Sequence, residues 1–172
     1  MDKFDEQQLT TVSIHLMRAL DALLHRHVLH RDIKPANIFV NREPLATVLC
    51  DFGAAVIMHG KALNNEGTVT TPGYESPEML RSEDYGFASD VWSAGVSLAE
   101  AASGASLSGH DDQVLNRIQK HMQVANHQVI IRRQRSMQVV VVEHAKLCGT
   151  MLRIAPADRP SPAALLLKVR GT

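Results

Sequence analysis

The chain has 172 residues, a length that suits a single domain with a sizeable core. Apolar residues make up 45% of the sequence and charged residues 21%, which is the composition of an ordinary soluble protein. The 18 Lys and Arg residues balance the 18 Asp and Glu residues, and a formal charge of zero gives no reason to expect a nucleic-acid partner.

The sequence also argues against secretion and against a membrane partner. The first ten residues are polar and acidic, unlike the apolar region of a signal peptide, and no apolar run approaches the length of a bilayer-spanning helix. Cys50 and Cys148 lie far apart without a Cys-x-x-Cys pair, so we expect two reduced thiols. These features predict an intracellular protein, cytoplasmic or nuclear.

A helix and a β-hairpin are predicted in the first third of the chain. Apolar residues recur at helical spacing from Leu9 to His27, which predicts a long amphipathic helix that Pro35 prevents from continuing. The short apolar runs at 37–40 and 47–50 flank a turn-forming segment, and together they predict two strands joined as a hairpin.

A long loop and a buried helix are predicted next. The segment 53–73 contains four glycines and shows little periodicity, so we expect a loop, and long loops inside compact domains are usually functional or disordered. The segment 88–104 is strongly apolar and predicts a helix in the middle of the core. Ser89 is its expected N-cap, and Gly104 lies just past its expected end.

The last third of the chain has a weaker pattern. A helix is predicted over 111–124, the segment 128–142 is ambiguous between strand and helix, and 141–154 is predicted as helical. A final helix should begin with Ser161 as its N-cap and Pro162 at its first position. The predicted fold class is therefore mainly α with one small β-hairpin beside a long loop.

Three oxygen-bearing side chains stand beside the predicted strands. Asp32, Asn37 and Asp51 offer carboxylate and amide oxygens, which are ligands that hard divalent cations prefer. A loop Asp followed two residues later by Lys34 can also accept a hydroxyl proton while the ammonium stabilises a phosphoryl oxygen. Taken alone, such loop aspartates are more often solvated or capping residues.

The order of five motifs changes that balance. The segment "HRDIKPAN" resembles the catalytic loop of protein kinases, and "DFG" resembles their magnesium-binding triplet. Three others resemble the end of the activation segment, the buried helix of the large lobe and a late segment with a structural Arg: "TPGYESPEM", "SDVWSAGVSLAE" and "PADRPS". The chain is therefore similar to the C-terminal, large lobe of a Ser/Thr protein kinase. Residues 1–172 would form this lobe, with the catalytic loop at 30–37 and the activation segment at 51–78.

The resemblance implies transfer of the γ-phosphoryl group of ATP to Ser or Thr hydroxyls of a protein substrate, with Mg²⁺ as cofactor. It implies that Asp32 accepts the proton of the substrate hydroxyl. Lys34 would contact the transferring phosphoryl group, so it is expected to serve both catalysis and nucleotide binding. Asn37 and Asp51 would hold Mg²⁺ against the ATP phosphates.

The resemblance also assigns residues to regulation and substrate recognition. Arg31 is placed where its guanidinium could pair with a phosphate on the long loop. Thr68 and Thr70 are the candidate phosphorylation sites on that loop. Thr71 matches the family's Thr near the reacting side chain of the substrate.

Five further residues are expected to have structural roles. His30 and Phe52 should pack under the loop, and Asp90 should anchor the backbone of the catalytic loop. Glu78 and Arg159 should form a buried ion pair. All five roles are implied by the resemblance.

The family's small lobe has no counterpart in this sequence. There is no Gly-rich loop, no strand with the nucleotide-binding Lys and no helix with its partner Glu. We expect a fragment of a full kinase, a half-kinase that uses a small lobe in trans, or a pseudokinase-like scaffold module without catalysis. The face toward the small lobe should be apolar, and that lobe or a partner protein should cover it.

Other candidate sites have simpler explanations. His25 and His27 could suggest zinc together with His30, but no Cys or carboxylate completes a set at a known spacing. The basic segment 132–135 fits a solvated patch better than a nucleic-acid contact. Cys50 could be a reachable thiol beside Asp51 or a buried, inert one.

Overall fold

The computed structural model describes residues 4–60, 62–64, 70–104 and 146–170. Over these ranges the protein is mainly helical and has two antiparallel β-sheets of two strands each. This architecture is compatible with the mainly α fold predicted from the sequence. None of the helices in these ranges combines the length and the apolar character needed to cross a bilayer.

The predicted first helix is confirmed and spans Glu6–His25 (α1). It begins three residues earlier than predicted because Asp5 and Gln8 form a capping box. The amide of Gln8 donates to Asp5 Oδ1 at 2.8 Å, and the amide of Asp5 donates to Gln8 Oε1 at 3.1 Å. These cap residues are polar, so the apolar periodicity that predicted the helix did not include them.

The predicted β-hairpin is also confirmed. Strands Ile38–Arg42 (β2) and Leu45–Leu49 (β3) pair antiparallel, with Ile38 opposite Leu49. Asn37 does not lie on the strand, because it ends the 3₁₀ turn Pro35–Asn37 that leads into β2. The hairpin therefore begins directly after the loop 30–37.

The segment 53–73 is not the strand-free loop that its composition predicted. Strand Val56–Ile57 (β4) pairs antiparallel with Val28–Leu29 (β1), which follows α1. A further isolated bridge joins Leu63 to Tyr85. Each of these pairings involves one or two residues and a partner distant in sequence, so local periodicity carries no signal for them.

The buried helix is confirmed as Phe87–Ser103 (α3) and follows a single-turn helix, Pro77–Leu80 (α2). The predicted N-cap of α3 was wrong, because Gly86 occupies that position and Ser89 lies inside the first turn. The Ser89 hydroxyl instead donates to Glu78 Oε1 at 2.8 Å. Gly104 ends the helix in the left-handed conformation, at φ 68°, as its position predicted.

Residues 146–151 are helical, within the predicted segment 141–154, and a final helix spans Pro162–Arg170 (α4). The Ser161 hydroxyl accepts the amide of Ala164 at 3.3 Å, as expected for the predicted cap. The predictions for 111–124 and 128–142 lie outside the described residues.

The main core packs α1, α3 and α4 around the buried Trp92, with β3 beside α1. Gly95 of α3 allows the segment 146–151 to approach closely, because a Cβ there would stand 2.9 Å from the Cβ of Met151. A smaller core lies at the β1–β4 sheet and contains four buried residues: Leu29, Met58, Met79 and Tyr85. Cys148 lies in the main core and, like Cys50, is a free thiol.

A buried ion pair joins α2 to the segment before α4. Arg159 donates to both carboxylate oxygens of Glu78, at 2.6 and 2.7 Å, and the two side chains are 0% and 2% exposed. The guanidinium also donates to three backbone carbonyls and lies 5.1 Å above the ring of Trp92. Burial raises the pKa of Glu78, but the bonds from Arg159 outweigh this and hold it below its ordinary value.

Replacing Arg159 by Ala is expected to lower the free energy of unfolding by about 3–5 kcal/mol, because Glu78 is left charged and buried without its partner. Arg81 is the matched control, since it pairs with Glu83 at the surface and both side chains are about half exposed, 50% and 51%. Its replacement by Ala should change the free energy by less than about 1 kcal/mol. Urea unfolding followed by circular dichroism measures both values. Equal losses for the two variants would contradict the argument.

Candidate active site

A carboxylate of the core holds the backbone of the loop 30–37. Asp90 of α3 accepts the amides of His30 and Arg31 at 2.7 and 2.9 Å. Arg31 is in the left-handed region at φ 69°, a conformation that is unfavourable for a residue with a side chain. The two bonds stabilise this backbone against the strain. Burial raises the pKa of Asp90 to about 6, although both amide bonds favour the charged form.

The fully buried His30 connects this loop to the segment that follows β3. Its Nδ1 accepts the amide of Asp32 at 3.3 Å, and its Nε2 donates to the carbonyl of Cys50 at 3.1 Å. Since an amide only donates and a carbonyl only accepts, this arrangement requires the neutral Nε2–H tautomer. Burial lowers the pKa of His30, which favours that neutral form.

Four donors surround the carboxylate of Asp32. Its Oδ1 accepts the amide and the hydroxyl of Thr71 at 3.2 and 2.7 Å. Its Oδ2 accepts Lys34 Nζ at 2.8 Å and Asn37 Nδ2 at 3.1 Å. Partial burial raises the pKa of Asp32, but the bonds from Lys34, Thr71 and Asn37 outweigh it and hold the pKa below its ordinary value.

Lys34 bridges the carboxylate of Asp32 and the hydroxyl of Thr71. Its ammonium contacts Asp32 and also donates to the hydroxyl of Thr71. The Thr71 hydroxyl thus accepts from a cation and donates to a carboxylate. This is an arrangement in which a hydroxyl is oriented and its proton is directed at a base.

Asn37 and Asp51 lie at neighbouring ends of the hairpin. Asn37 is buried, and its Nδ2 donates to the carbonyl and to Oδ2 of Asp32. Its Oδ1 takes part in neither of these two bonds. Cys50 follows β3 and donates its amide to the carbonyl of Asn37 at 2.9 Å, with its thiol donating to the same oxygen at 3.2 Å. Cys50 therefore sets the next residue, Asp51, beside Asn37, a link that sequence reasoning missed.

Asp51 presents an exposed carboxylate from a left-handed backbone at φ 62°. Its Oδ1 accepts the amide of Gly53 at 3.3 Å. Carboxylate and amide oxygens are the donor set that Mg²⁺ takes together with phosphate oxygens, so Asp51 and Asn37 fit that ion chemically. By contrast, the described ranges contain no group of three or more His, Cys, Asp or Glu side chains placed to hold a metal ion.

The residues expected to serve regulation are only partly brought to the site. The Nε of Arg31 donates to the carbonyl of Ala54, within the segment that follows Asp51. The Thr70 hydroxyl is buried and has no hydrogen-bond partner among the described residues, so a kinase acting on it must first expose it. Thr68 lies outside the described residues.

The structure places the ring of Phe52 against that of His30, with the ring centroids 4.8 Å apart. The side chain of Phe52 is 47% exposed, so this contact leaves much of the ring open to solvent.

An exposed apolar pair on the hairpin was also missed. Phe39 and Val48 face each other across β2 and β3 and are 65% and 60% exposed. Their neighbours Ile38 and Val40 pack against the core, so strand alternation directs Phe39 to the opposite side. The sequence signal that could have predicted this exposed pair is a large aromatic residue at a strand position that faces away from the core.

Comparison with known proteins agrees with the motifs. A family model described as the protein kinase domain matches residues 1–169. The curated serine/threonine-protein kinase Nek3 of Oryza sativa subsp. japonica is 35% identical to this chain over 165 residues. The match covers 95% of this chain, and the chain spans 26% of that relative's length.

The pH dependence of stability should reveal the cost of charging Asp90. Its pKa is about 6 in the folded state and near its ordinary 3.8 when unfolded, so the folded chain binds more protons between these values. Stability contributed by this group therefore falls as pH rises from about 4 to about 6, by on the order of 3 kcal/mol.

The measurement is urea unfolding of the wild type and of Asp90→Asn at several pH values between 4 and 7. The Asn side chain keeps one acceptor oxygen and replaces the other by a donor, so at least one of the two bonds to the amides of His30 and Arg31 is lost and a constant loss of stability is expected in addition. The wild-type advantage should shrink as pH rises. An advantage that grows or stays constant over this range would contradict the raised pKa.

Proposed function

The chain belongs to the protein kinase family, and we propose that it supplies the catalytic and metal-binding residues of a serine/threonine kinase. The proposed reaction transfers the γ-phosphoryl group of ATP to a Ser or Thr hydroxyl of a protein. The observation that carries this proposal is the set of donors around Asp32. Lys34, Asn37 and Thr71 all contact one carboxylate, which lies in a loop anchored in the core.

Asp32 is proposed to orient the substrate hydroxyl and to receive its proton. As the new O–P bond forms, the bond from the γ-phosphorus to the bridging oxygen breaks and ADP leaves with that electron pair. The hydroxyl proton moves to Asp32 as its oxygen becomes acidic. A carboxylate with a low pKa is sufficient for this role, because the transition state of phosphoryl transfer is loose and proton transfer need not precede it.

Lys34 and Thr71 are proposed to complete the environment of the attacking oxygen. The Lys34 ammonium lies within 2.8 Å of Asp32, where it could contact an oxygen of the transferring phosphoryl group. The Thr71 hydroxyl, held between Lys34 and Asp32, would orient the segment that meets the substrate.

Mg²⁺ is proposed to be held by Asn37 Oδ1 and the carboxylate of Asp51. When bound, the ion would neutralise charge that develops on the phosphate oxygens. The orientation of the Asn37 amide supports this role. Its Nδ2 donates to Asp32, so Oδ1, on the other side of the planar amide, points away from Asp32 and could bind the ion.

The exposed apolar residues beside the site support a covering lobe or partner protein. Phe39 and Val48 on the hairpin, Phe52 after it and Ile57 on β4 are all between 47% and 65% exposed. Exposed apolar surface beside a polar site is typical of a ligand or protein interface. We propose that a small lobe, in cis or in trans, covers these residues and completes the nucleotide site.

Nucleotide binding should depend on the magnesium ligands. At ten times its Kd, ATP with Mg²⁺ should stabilise the chain by about 1.4 kcal/mol, or roughly 3–5 °C in a thermal shift, and by less with EDTA in place of the metal. Asp51→Asn should lose the metal-dependent part, whereas Asp84→Asn, which changes an exposed carboxylate on another segment, should retain it. Absence of any shift at millimolar ATP would instead favour a scaffold function or dependence on a small lobe.

Phosphoryl transfer should depend on Asp32. In a preparation that phosphorylates a Ser/Thr peptide, Asp32→Asn should lower kcat by about 10²–10⁴-fold, because the amide cannot accept the proton. The KM for ATP should change little, and circular dichroism should show the same helix content as in the wild type. Asp84→Asn again serves as the control. An Asp32→Asn variant with the wild-type kcat would remove Asp32 from the proposed mechanism.

A further inference from the structure

Three serines occupy one face of α3 at four-residue intervals: Ser89, Ser93 and Ser97. Ser93 and Ser97 each lie within hydrogen-bond distance of the carbonyl four residues earlier, at 3.1 and 2.9 Å, as serines inside helices commonly do. Ser89 belongs to the network of the Glu78–Arg159 ion pair. Of the two remaining serines, only Ser93 also contacts a different segment among the described residues.

Ser93 donates its hydroxyl proton to the carbonyl of Tyr74 at 2.7 Å. A hydroxyl has one proton, and this contact is shorter than the 3.1 Å contact to the carbonyl of Ser89. Ser93 is 7% exposed, so water cannot readily replace it at the Tyr74 carbonyl. Loss of a buried donor leaves its acceptor unsatisfied, which is more unfavourable than loss of an exposed one.

α3 also holds the other end of Tyr74. The phenol hydroxyl donates to Glu100 Oε2 at 2.8 Å, two helical turns beyond Ser93. The backbone and the ring of Tyr74 are thus tied to two points on the same buried helix. Since α3 lies in the middle of the core, both ties are to a rigid element.

A short turn connects Tyr74 to the candidate active site. The amide of Tyr74 donates to the carbonyl of Thr71 at 3.3 Å, which closes a turn over residues 71–74. The other end of this turn contacts the site, because both the amide and the hydroxyl of Thr71 donate to Asp32 Oδ1. A displacement of Tyr74 away from α3 therefore moves Thr71 relative to Asp32.

We propose that Ser93 is a positioning residue for the reaction: through the Tyr74 carbonyl it holds the turn 71–74, and this turn holds Thr71 against Asp32. Ser93 touches neither the reacting atoms nor Asp32. Its effect on the backbone of the turn is independent of the proposed kinase activity, and its effect on catalysis rests on that activity.

Amide hydrogen exchange of the whole chain, resolved by peptide mass spectrometry, tests the backbone part. Ser93→Ala should raise exchange of the peptide covering 71–76 by about tenfold, because the turn loses the bond from its Tyr74 carbonyl to α3. Ser97→Ala is the matched control, since it removes a buried hydroxyl of the same helix whose bond, within the described part of the chain, goes to the carbonyl of Ser93 on that helix. It should leave exchange over 71–76 unchanged. Equal exchange in the wild type and Ser93→Ala would overturn the proposal.

Ser93→Cys provides a second variant in case Ser93→Ala unfolds α3. It keeps a side chain of similar size and replaces the hydroxyl by a thiol, which is a much weaker donor to the Tyr74 carbonyl. It should raise exchange over 71–76 while exchange within α3 stays at the wild-type level. If exchange over 71–76 is unchanged in this variant, the Ser93 hydroxyl does not hold the turn and the proposal fails.

Peptide phosphorylation tests the catalytic part. In an active preparation, Ser93→Ala should lower kcat/KM for the peptide about tenfold with the KM for ATP unchanged, and Ser97→Ala should stay within twofold of the wild type. A Ser93→Ala variant with faster exchange but wild-type kcat/KM would overturn the positioning role. A wild-type chain without transferase activity, with or without a covering lobe, would count against the proposed function, and the exchange result would still decide whether Ser93 holds the turn.

Discussion

The bond between the buried carboxylate of Asp90 and the backbone of His30 and Arg31 is the constraint on which the site depends. It joins a helix in the centre of the core to a loop whose backbone is locally strained. Without these two acceptors, the amides would be buried without partners and Arg31 would have no compensation for its left-handed conformation. The position of Asp32, one residue later, therefore follows from the packing of α3.

Asp90, Glu78 and Asp32 show how differently their surroundings can shift the pKa of a carboxylate. Asp90 has only neutral amides as close donors, and burial dominates, so its pKa is raised to about 6. Glu78 is also buried, but it faces the Arg159 guanidinium, and its pKa is lowered. Asp32 lies closer to solvent among a cation, an amide and a hydroxyl, and it too stays ionised at neutral pH. The direction of each pKa shift thus depends more on which donors contact the carboxylate than on how deeply it is buried.

The sequence predicted the elements whose signals are local and missed those that depend on distant partners. The hairpin and the two long helices follow from periodicity, and Asp32, Lys34, Asn37 and Thr71, which the motifs assign to one site, contact one another in the structure. The β1–β4 pair could not be predicted, because two residues carry no period and their partner is distant along the chain. Ser is a residue type that commonly caps helices, but the hydroxyl of Ser89 donates to the buried Glu78 instead. This contact joins two segments of the fold, so the local sequence around Ser89 does not predict it.

The surroundings of Asp32 are complete within the described residues, whereas the surface proposed to bind the nucleotide is still open to solvent. Asp32 has every oxygen engaged by partners from its own loop and from Thr71, so its geometry is set before any substrate arrives. Asp51 is exposed, and Phe39 on the hairpin is 65% exposed. A phosphate-bridged ion needs ligands from more than one side, and an apolar surface of this kind needs a cover. The proposed proton-accepting part of the site is therefore preorganised within the chain, whereas under the proposed function affinity for the nucleotide depends on what covers the hairpin.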